Sequence, residues 1–248
     1  MSLPWPRRAL LGGALVAGSW WGLQRSPVQR ADVRAGDAIR RAEGPVLNRI
    51  VAGTTDLGSV YAVCGIAAVL AAVGRRRTAA DVLSMGALGW VVAQGSKRRV
   101  MRERPFDAHD VRRLIRSPAG SSFPSGHAAV SMAVMSLVGE RSRTRRGRAL
   151  AYAVGAYVGL TRVYVGVHYP TDVLGGAGLG LGLSAAWRGP VAGAGRLVAG
   201  PLVWLLPKVL PAEARLAAVA FLADRAVRAA RGGKPAEEFA IPEAAHAG

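Results

Sequence analysis

The chain has 248 residues, 51% of them hydrophobic and 6% aromatic, and 33 Lys and Arg against 15 Asp and Glu give a net charge of +18; its mean hydropathy is +0.23. That charge would suit nucleic acid, but the hydrophobic residues fall in blocks of roughly 15–20, the length that crosses a bilayer, so a soluble nucleic-acid module is excluded. Basic membrane flanks on anionic lipid, or a basic pocket for a phosphorylated substrate, suit both facts.

In chain order, a basic start with Arg7 and Arg8 leads into an apolar run at 9–23. Its length fits a signal-peptide core or a short membrane helix, and a retained helix is the expectation, with Trp20 and Trp21 at the membrane–water interface. Residues 24–55 are polar and rich in Arg. Val28, Val33, Ile39, Val46, Leu47 and Ile50 are spaced so that they can line one face of a surface helix, or belong to a solvated connection. An apolar run at 57–74 ends in the basic turn Arg75-Arg76-Arg77. The next, at 82–96, starts beside Asp81, where a carboxylate complements a helix N-terminus, and ends in Lys97.

A polar loop at 96–121 carries Lys97, Arg98, Arg99, Arg102, Arg104, Arg112, Arg113 and Arg116, and Pro105 and Pro118 interrupt it. The run at 122–139 is followed by a second basic turn with Arg141, Arg143, Arg145, Arg146 and Arg148. The last two strong runs lie at 149–167 and 173–187; the latter holds Gly176, Gly178, Gly180 and Gly182, which allow close helix approach. Residues 191–210 are broken by Arg196, Pro201 and Pro207 and read as interfacial or a hairpin. Residues 212–231 read as an amphipathic surface helix, and 233–248 as a disordered tail. Cys64 is the sole cysteine, so no intramolecular disulfide forms and thiols say nothing about compartment.

The expected fold is all-α: a polytopic membrane helix bundle of about six spanning helices with its site at one membrane face. Its expected divisions are an N-terminal helix and extracytoplasmic connection (1–56), a membrane core (57–188), interfacial or amphipathic helices (189–232) and a tail (233–248). The positive-inside rule, applied to the two short Arg turns, places them in the cytoplasm and puts 97–121 and His168 outside. Three polar stretches then share one face.

In the first, Lys97-x6-Arg104-Pro105, a point charge and a planar fork can converge on one phosphate; alone, the stretch fits a basic loop over anionic lipid better than a site. In the second, Pro124-Ser125-Gly126-His127, a helix start offers free N–H groups to an anion, with His127 above it. The third, Arg162-x5-His168-x3-Asp172, sets a costly charge at a helix end and a carboxylate within reach of an imidazole. Together they form a phosphoryl-transfer site: cations hold the phosphate, His168 attacks, His127 protonates the leaving oxygen and Asp172 orients His168. No carboxylate cluster has metal-ligand spacing, so no metal or other cofactor is expected.

The three stretches resemble the type 2 phosphatidic acid phosphatase superfamily, integral-membrane lipid phosphate phosphatases with the pattern K-x6-RP, PSGH and SR-x5-H-x3-D. The match spans about residues 57–187 and departs at Thr161, where the family usually has Ser. The resemblance implies metal-independent hydrolysis of a lipid phosphomonoester or pyrophosphate. It implies phosphate binding by Lys97, Arg104, Ser125, Gly126 and Arg162, with His127, His168 and Asp172 catalytic, and a phosphate hydrogen bond kept by the Thr161 hydroxyl. The partners expected are a lipid phosphate substrate and the bilayer, not nucleic acid. A non-catalytic lipid-binding or scaffold protein of the same fold is the alternative that phosphate release would separate; a transporter would show inverted repeats.

Overall fold

The computed structural model describes residues 4–209, with side chains to 205; the expected amphipathic helix at 212–231 and the tail lie outside the described residues. The described residues form helices and no strand. They are α1 (Trp5–Leu23), α2 (Ser26–Arg40), α3 (Pro45–Thr54), a 3₁₀ turn (Thr55–Gly58), α4 (Val60–Ala72), α5 (Arg76–Lys97), α6 (Pro105–Ala108), α7 (Gly126–Arg141), α8 (Arg145–Tyr164), α9 (Pro170–Ala186) and α10 (Gly189–Val209). Each of the six apolar runs became one helix, bounded by the Arg turns and by Pro170 at the N-terminus of α9.

Among the described residues no single helix is both long and apolar enough to cross a membrane by itself. Pro45–Gly58 and Val60–Ala72, bent by 71° where they join, have the length and composition only together.

Glycine decides how the bundle packs. A Cβ at Gly180 would lie 2.5 Å from the Ala129 carbonyl and 2.7 Å from the Ala133 nitrogen, and one at Gly176 would collide with the Ser125 carbonyl, so these two let α9 lie backbone to backbone on α7. A Cβ at Gly178 would lie 2.8 Å from the Gly12 carbonyl, so the next face of α9 receives α1. The four-residue spacing of 176 and 180, two out of step with 178, puts the two contacts on different sides of one helix. On the other flank α5 meets α4, α7 and α10 around a core that includes Val63, Ala67, Val82, Met85, Val130, Val134 and Trp187.

Two expectations are corrected. Residues 189–209, read as interfacial or a hairpin, make one helix; Ala192, Ala199 and Val203 are buried in the core, and that packing carries the helix through Pro201. Asp81 does not complement the start of α5, which begins at Arg76. It is fully buried and meets Arg141, Arg196 at 2.7 Å and the Trp187 indole N–H at 3.0 Å, tying α5 to α7 and α10.

A smaller cluster of Val51, Tyr164, Val165 and Val167, flanked by Ile39, Phe106, Leu114 and Ile115, lies where α8 ends. There the chain turns back through Gly166 at φ +79°, where a Cβ would lie 2.5 Å from the Arg112 carbonyl. The turn delivers His168 to the face that carries the start of α7.

Candidate active site

All eight residues singled out from the sequence lie at one end of the bundle. Lys97 ends α5, Arg104 precedes α6, Ser125 caps α7 with Gly126 and His127 as its first residues, Arg162 is in the last turn of α8, His168 is in the following turn, and Asp172 is in the first turn of α9. Backbone bonds join the pieces. The His168 N–H donates to the Arg162 carbonyl at 3.2 Å, and the Ser125 N–H to the Asp172 carbonyl at 2.9 Å.

His168 is 2% exposed. Its Nδ1 faces Asp172 Oδ2 at 3.6 Å and Ser122 Oγ at 3.4 Å, while the Ser122 hydroxyl donates to the same Asp172 oxygen at 2.6 Å. The pairing of imidazole and carboxylate is therefore looser than a direct bond, with Ser122 beside it. Pro170 is the reason: it starts α9 after His168, so the pair spans a turn and a helix start rather than one helical turn. Asp172 also accepts from the Tyr169 N–H at 2.8 Å, the helix-start half of a capping box. Burial pushes the pKa of His168 down to about 3, against the pull of Asp172; the charges of Arg104 and Lys97 lower it further. The ring is neutral at physiological pH, with Nδ1 turned to Asp172 and Ser122 and Nε2 left as the other nitrogen.

The two arginines divide differently from expectation. Arg104 is 2% exposed, and its guanidinium is taken up by backbone carbonyls: Nε donates to Gly120 at 3.0 Å, Nη1 to Val167 at 2.9 Å, and Nη2 to Ala119 at 3.2 Å and Ser121 at 3.3 Å. It straps the 119–121 loop to the residue before His168 and keeps one Nη1 proton for anything else. Arg162, equally buried, gives Nη1 to Thr55 Oγ1 at 2.7 Å, while its Nε is buried without a protein partner. An orphan buried donor of this kind calls for a ligand or water.

His127 Nε2 is likewise buried without a hydrogen bond, 3.7 Å from Asp56 Oδ1. Beside Gly126, an added Cβ would meet only Ala93, at 4.0 Å, so the backbone at the start of α7 is open to an approaching group. Lys97 lies within electrostatic range of Arg104, Arg162 and Asp172. The Thr161 hydroxyl turns away from this space: it bonds the Val158 carbonyl at 2.6 Å and Thr55 at 3.0 Å. The expected phosphate contact of Thr161 is thus replaced by a support for Arg162, passed on through Thr55.

The sequence reading did not single out Arg102, Ser122, Thr55 or Asp32. Arg102 stacks on Tyr169 at 3.9 Å and bridges two buried carboxylates, Asp172 at 2.6 Å and Asp32 at 2.7 Å. Burial opposes its charge, but the two carboxylates outweigh this and raise its pKa. Arg102 was one of eight cations in a loop, with nothing in its spacing to mark it. Asp32 carried a faint signal: it stands four residues from Val28 and from Gly36, an acid on the apolar side of a helix. Among the described residues no group of three or more His, Cys, Asp and Glu is placed to hold a metal ion.

Comparison with known proteins adds to this geometry. Residues 78–190 match the model of the PAP2 superfamily. The chain is 40% identical over 72 residues to the undecaprenyl-diphosphatase BcrC of Bacillus subtilis, covering 29% of this chain and only 36% of that protein. To the decaprenylphosphoryl-5-phosphoribose phosphatase of Mycobacterium tuberculosis it is 34% identical over 123 residues, 48% of this chain and 67% of the relative. Among solved structures, a transmembrane PAP2-type phosphatidylglycerolphosphate phosphatase from Bacillus subtilis superposes with a TM-score of 0.57 at 25% identity, covering 79% of this chain and 98% of the other. Aquifex aeolicus LpxE superposes with a TM-score of 0.54 at 25% identity over 62% and 94% of the two chains. The matched stretch contains every residue of the three sequence motifs, and on these grounds the chain belongs to the PAP2 superfamily.

Proposed function

We propose that the protein is a multi-pass membrane lipid phosphatase that hydrolyses a lipid phosphomonoester or a polyprenyl pyrophosphate through a phosphohistidine, without a required metal. The observation that carries this reading is the pairing of a buried, neutral His168, backed by Asp172, with the unpartnered Nε of Arg162 and with His127, whose Nε2 makes no hydrogen bond and lies 3.7 Å from Asp56 Oδ1. A phosphoryl group between them would meet a nucleophile on one side and an acid on the other.

In this reading Lys97, Arg162, Ser125 and the open N–H groups of Gly126 and His127 hold the phosphate oxygens. Arg104 acts chiefly by fixing the loop before His168. His168 Nε2 attacks phosphorus and the bond to the leaving oxygen breaks, while His127 gives that oxygen its proton. The Nδ1 proton stays on the ring, and Asp172 stabilises the positive charge that develops there. Water, deprotonated by the now neutral His127, then attacks phosphorus, releasing phosphate and restoring His168. The cations and the start of α7 spread the transition-state charge, the part a metal would otherwise take.

The relatives span a prenyl diphosphatase, a decaprenylphosphoryl-5-phosphoribose phosphatase, a phosphatidylglycerophosphatase and a lipid A 1-phosphatase, so the substrate class proposed is a membrane lipid bearing a terminal phosphate. The test is phosphate release from a panel of such lipids by detergent-purified protein with EDTA present. The wild type should release phosphate and His168→Ala should lose at least about a thousandfold in kcat. Turnover by His168→Ala near the wild-type rate, or loss of wild-type turnover in EDTA, overturns the reading.

A further inference from the structure

We propose that Asp32, in the N-terminal segment ahead of the matched family region, is a positioning residue of the active site, and that α2 is a working part of the catalytic centre rather than a connection. The inference rests on the reading of His168 and Asp172 as a catalytic pair.

The chain of contacts is short and buried. The Asp32 side chain is 1% exposed. Its Oδ1 accepts the Thr171 N–H at 2.9 Å; its Oδ2 accepts Arg102 Nη2 at 2.7 Å and the Thr171 hydroxyl. Arg102 Nη1 reaches Thr171 Oγ1 at 2.7 Å and Asp172 Oδ1 at 2.6 Å. The other oxygen of Asp172 is the one that faces His168. Asp32, Arg102, Asp172 and His168 therefore stand in one line, with the face of Tyr169 closing one side of Arg102.

A carboxylate this deeply buried is costly unless fully paired, and helix docking alone would be served better by an apolar residue beside Val28 and Ile39. What an acid supplies here is charge. Arg102 lies between two carboxylates, so neither has its whole positive charge. With Asp32 present, Asp172 keeps part of its negative charge for the imidazole, which becomes cationic when His168 is phosphorylated. Without Asp32, Arg102 would draw wholly on Asp172, and the Arg102 guanidinium would lose one of the two carboxylates that fix its position. The two bonds to Thr171 hold the first turn of α9, and so Asp172, at the same point.

The experiment uses the full chain in detergent, with Asp32→Asn, Asp32→Ala and Asp32→Glu. It measures kcat and KM on the best lipid of the panel, melting temperature, and the imidazole 15N and Nδ1–H resonances of His168, assigned with His168→Asn. The expected result is a fall in kcat of roughly 10–100-fold for Asp32→Asn with KM within about threefold, a shifted His168 Nδ1–H resonance, and partial recovery of rate in Asp32→Glu relative to Asp32→Ala. Should Asp32→Ala fail to fold, the near-isosteric Asp32→Asn decides. A wild-type kcat in Asp32→Asn overturns the proposal. So does a rate loss that only tracks the loss of folded protein while the His168 resonances stay unmoved. If the wild type releases no phosphate from any lipid, the functional reading fails, but the response of the His168 resonances to Asp32→Asn still decides whether Asp32 reaches the imidazole.

Discussion

Arg104 and Arg162 carry the same side chain at the same depth, yet the structure gives them different work. Arg104 spends its fork on four carbonyls, and Arg162 keeps its Nε free. The motif names both cations but not which way their donors point. His168 shows the same limit in another form. A carboxylate four residues on suggested a direct bond, and the structure sets it at 3.6 Å with Ser122 alongside. Burial outweighs that carboxylate and holds the ring neutral. Because the folded pKa is lowered, from an ordinary value near 6.5 to about 3, the neutral form persists as pH falls, and protonation begins only far below neutrality. The unfolded chain takes up its proton near 6.5, so the stability His168 withholds from the fold grows as pH drops below that value. The 15N resonances of His168 should accordingly stay those of a neutral imidazole from pH 8 to pH 5; a titration midpoint near 6.5 would show a solvated ring instead.

At the scale of elements, α9 is the part on which the rest is assembled. Its glycines are not equivalent. A Cβ at Gly180 meets backbone of α7 at 2.5 Å, whereas one at Gly182 meets nothing within 4 Å. Gly180→Ala should force α7 and α9 apart, destabilising by about 1–3 kcal/mol, and should also lower activity, because α7 starts at Ser125 and α9 carries Asp172. Gly182→Ala should be neutral or stabilising by up to about 1 kcal/mol, through the helix propensity of Ala. Thermal melts of the two variants in one detergent make the comparison, and equal melting temperatures would contradict the packing argument. The Gly-rich run was legible as a close-packing helix; that it serves two partners on two sides was not, since the partner faces come from α1 and α7.

Over the whole molecule, the two short Arg turns and the candidate site lie at opposite ends. Arg75, Arg76, Arg77, Arg141 and Arg143 surround one cavity, of about 600 Å³, while the residues proposed to hold phosphate gather at the far ends of α5, α7 and α8. The orientation expected from positive-inside bias on the two short turns has the cavity facing the cytoplasm and the site facing out. In a Cys64→Ser background, an impermeant maleimide should label Asp110→Cys in intact cells and Arg143→Cys only after permeabilisation. Both residues are exposed, and the reverse pattern would invert the orientation.

Local features were legible in the chain before folding. Apolar runs became helices, basic turns became their ends, and three spaced motifs marked one face, because hydropathy and spacing within a helix or turn are written in consecutive residues. The pairing of distant groups came from the packed bundle: Asp32 with Arg102 and Thr171, Thr55 with Arg162, Asp81 with Arg141 and Arg196. These residues lie in stretches with no periodicity in common. Their meeting depends on how the elements that carry them, from α2 to α10, pack in the whole bundle.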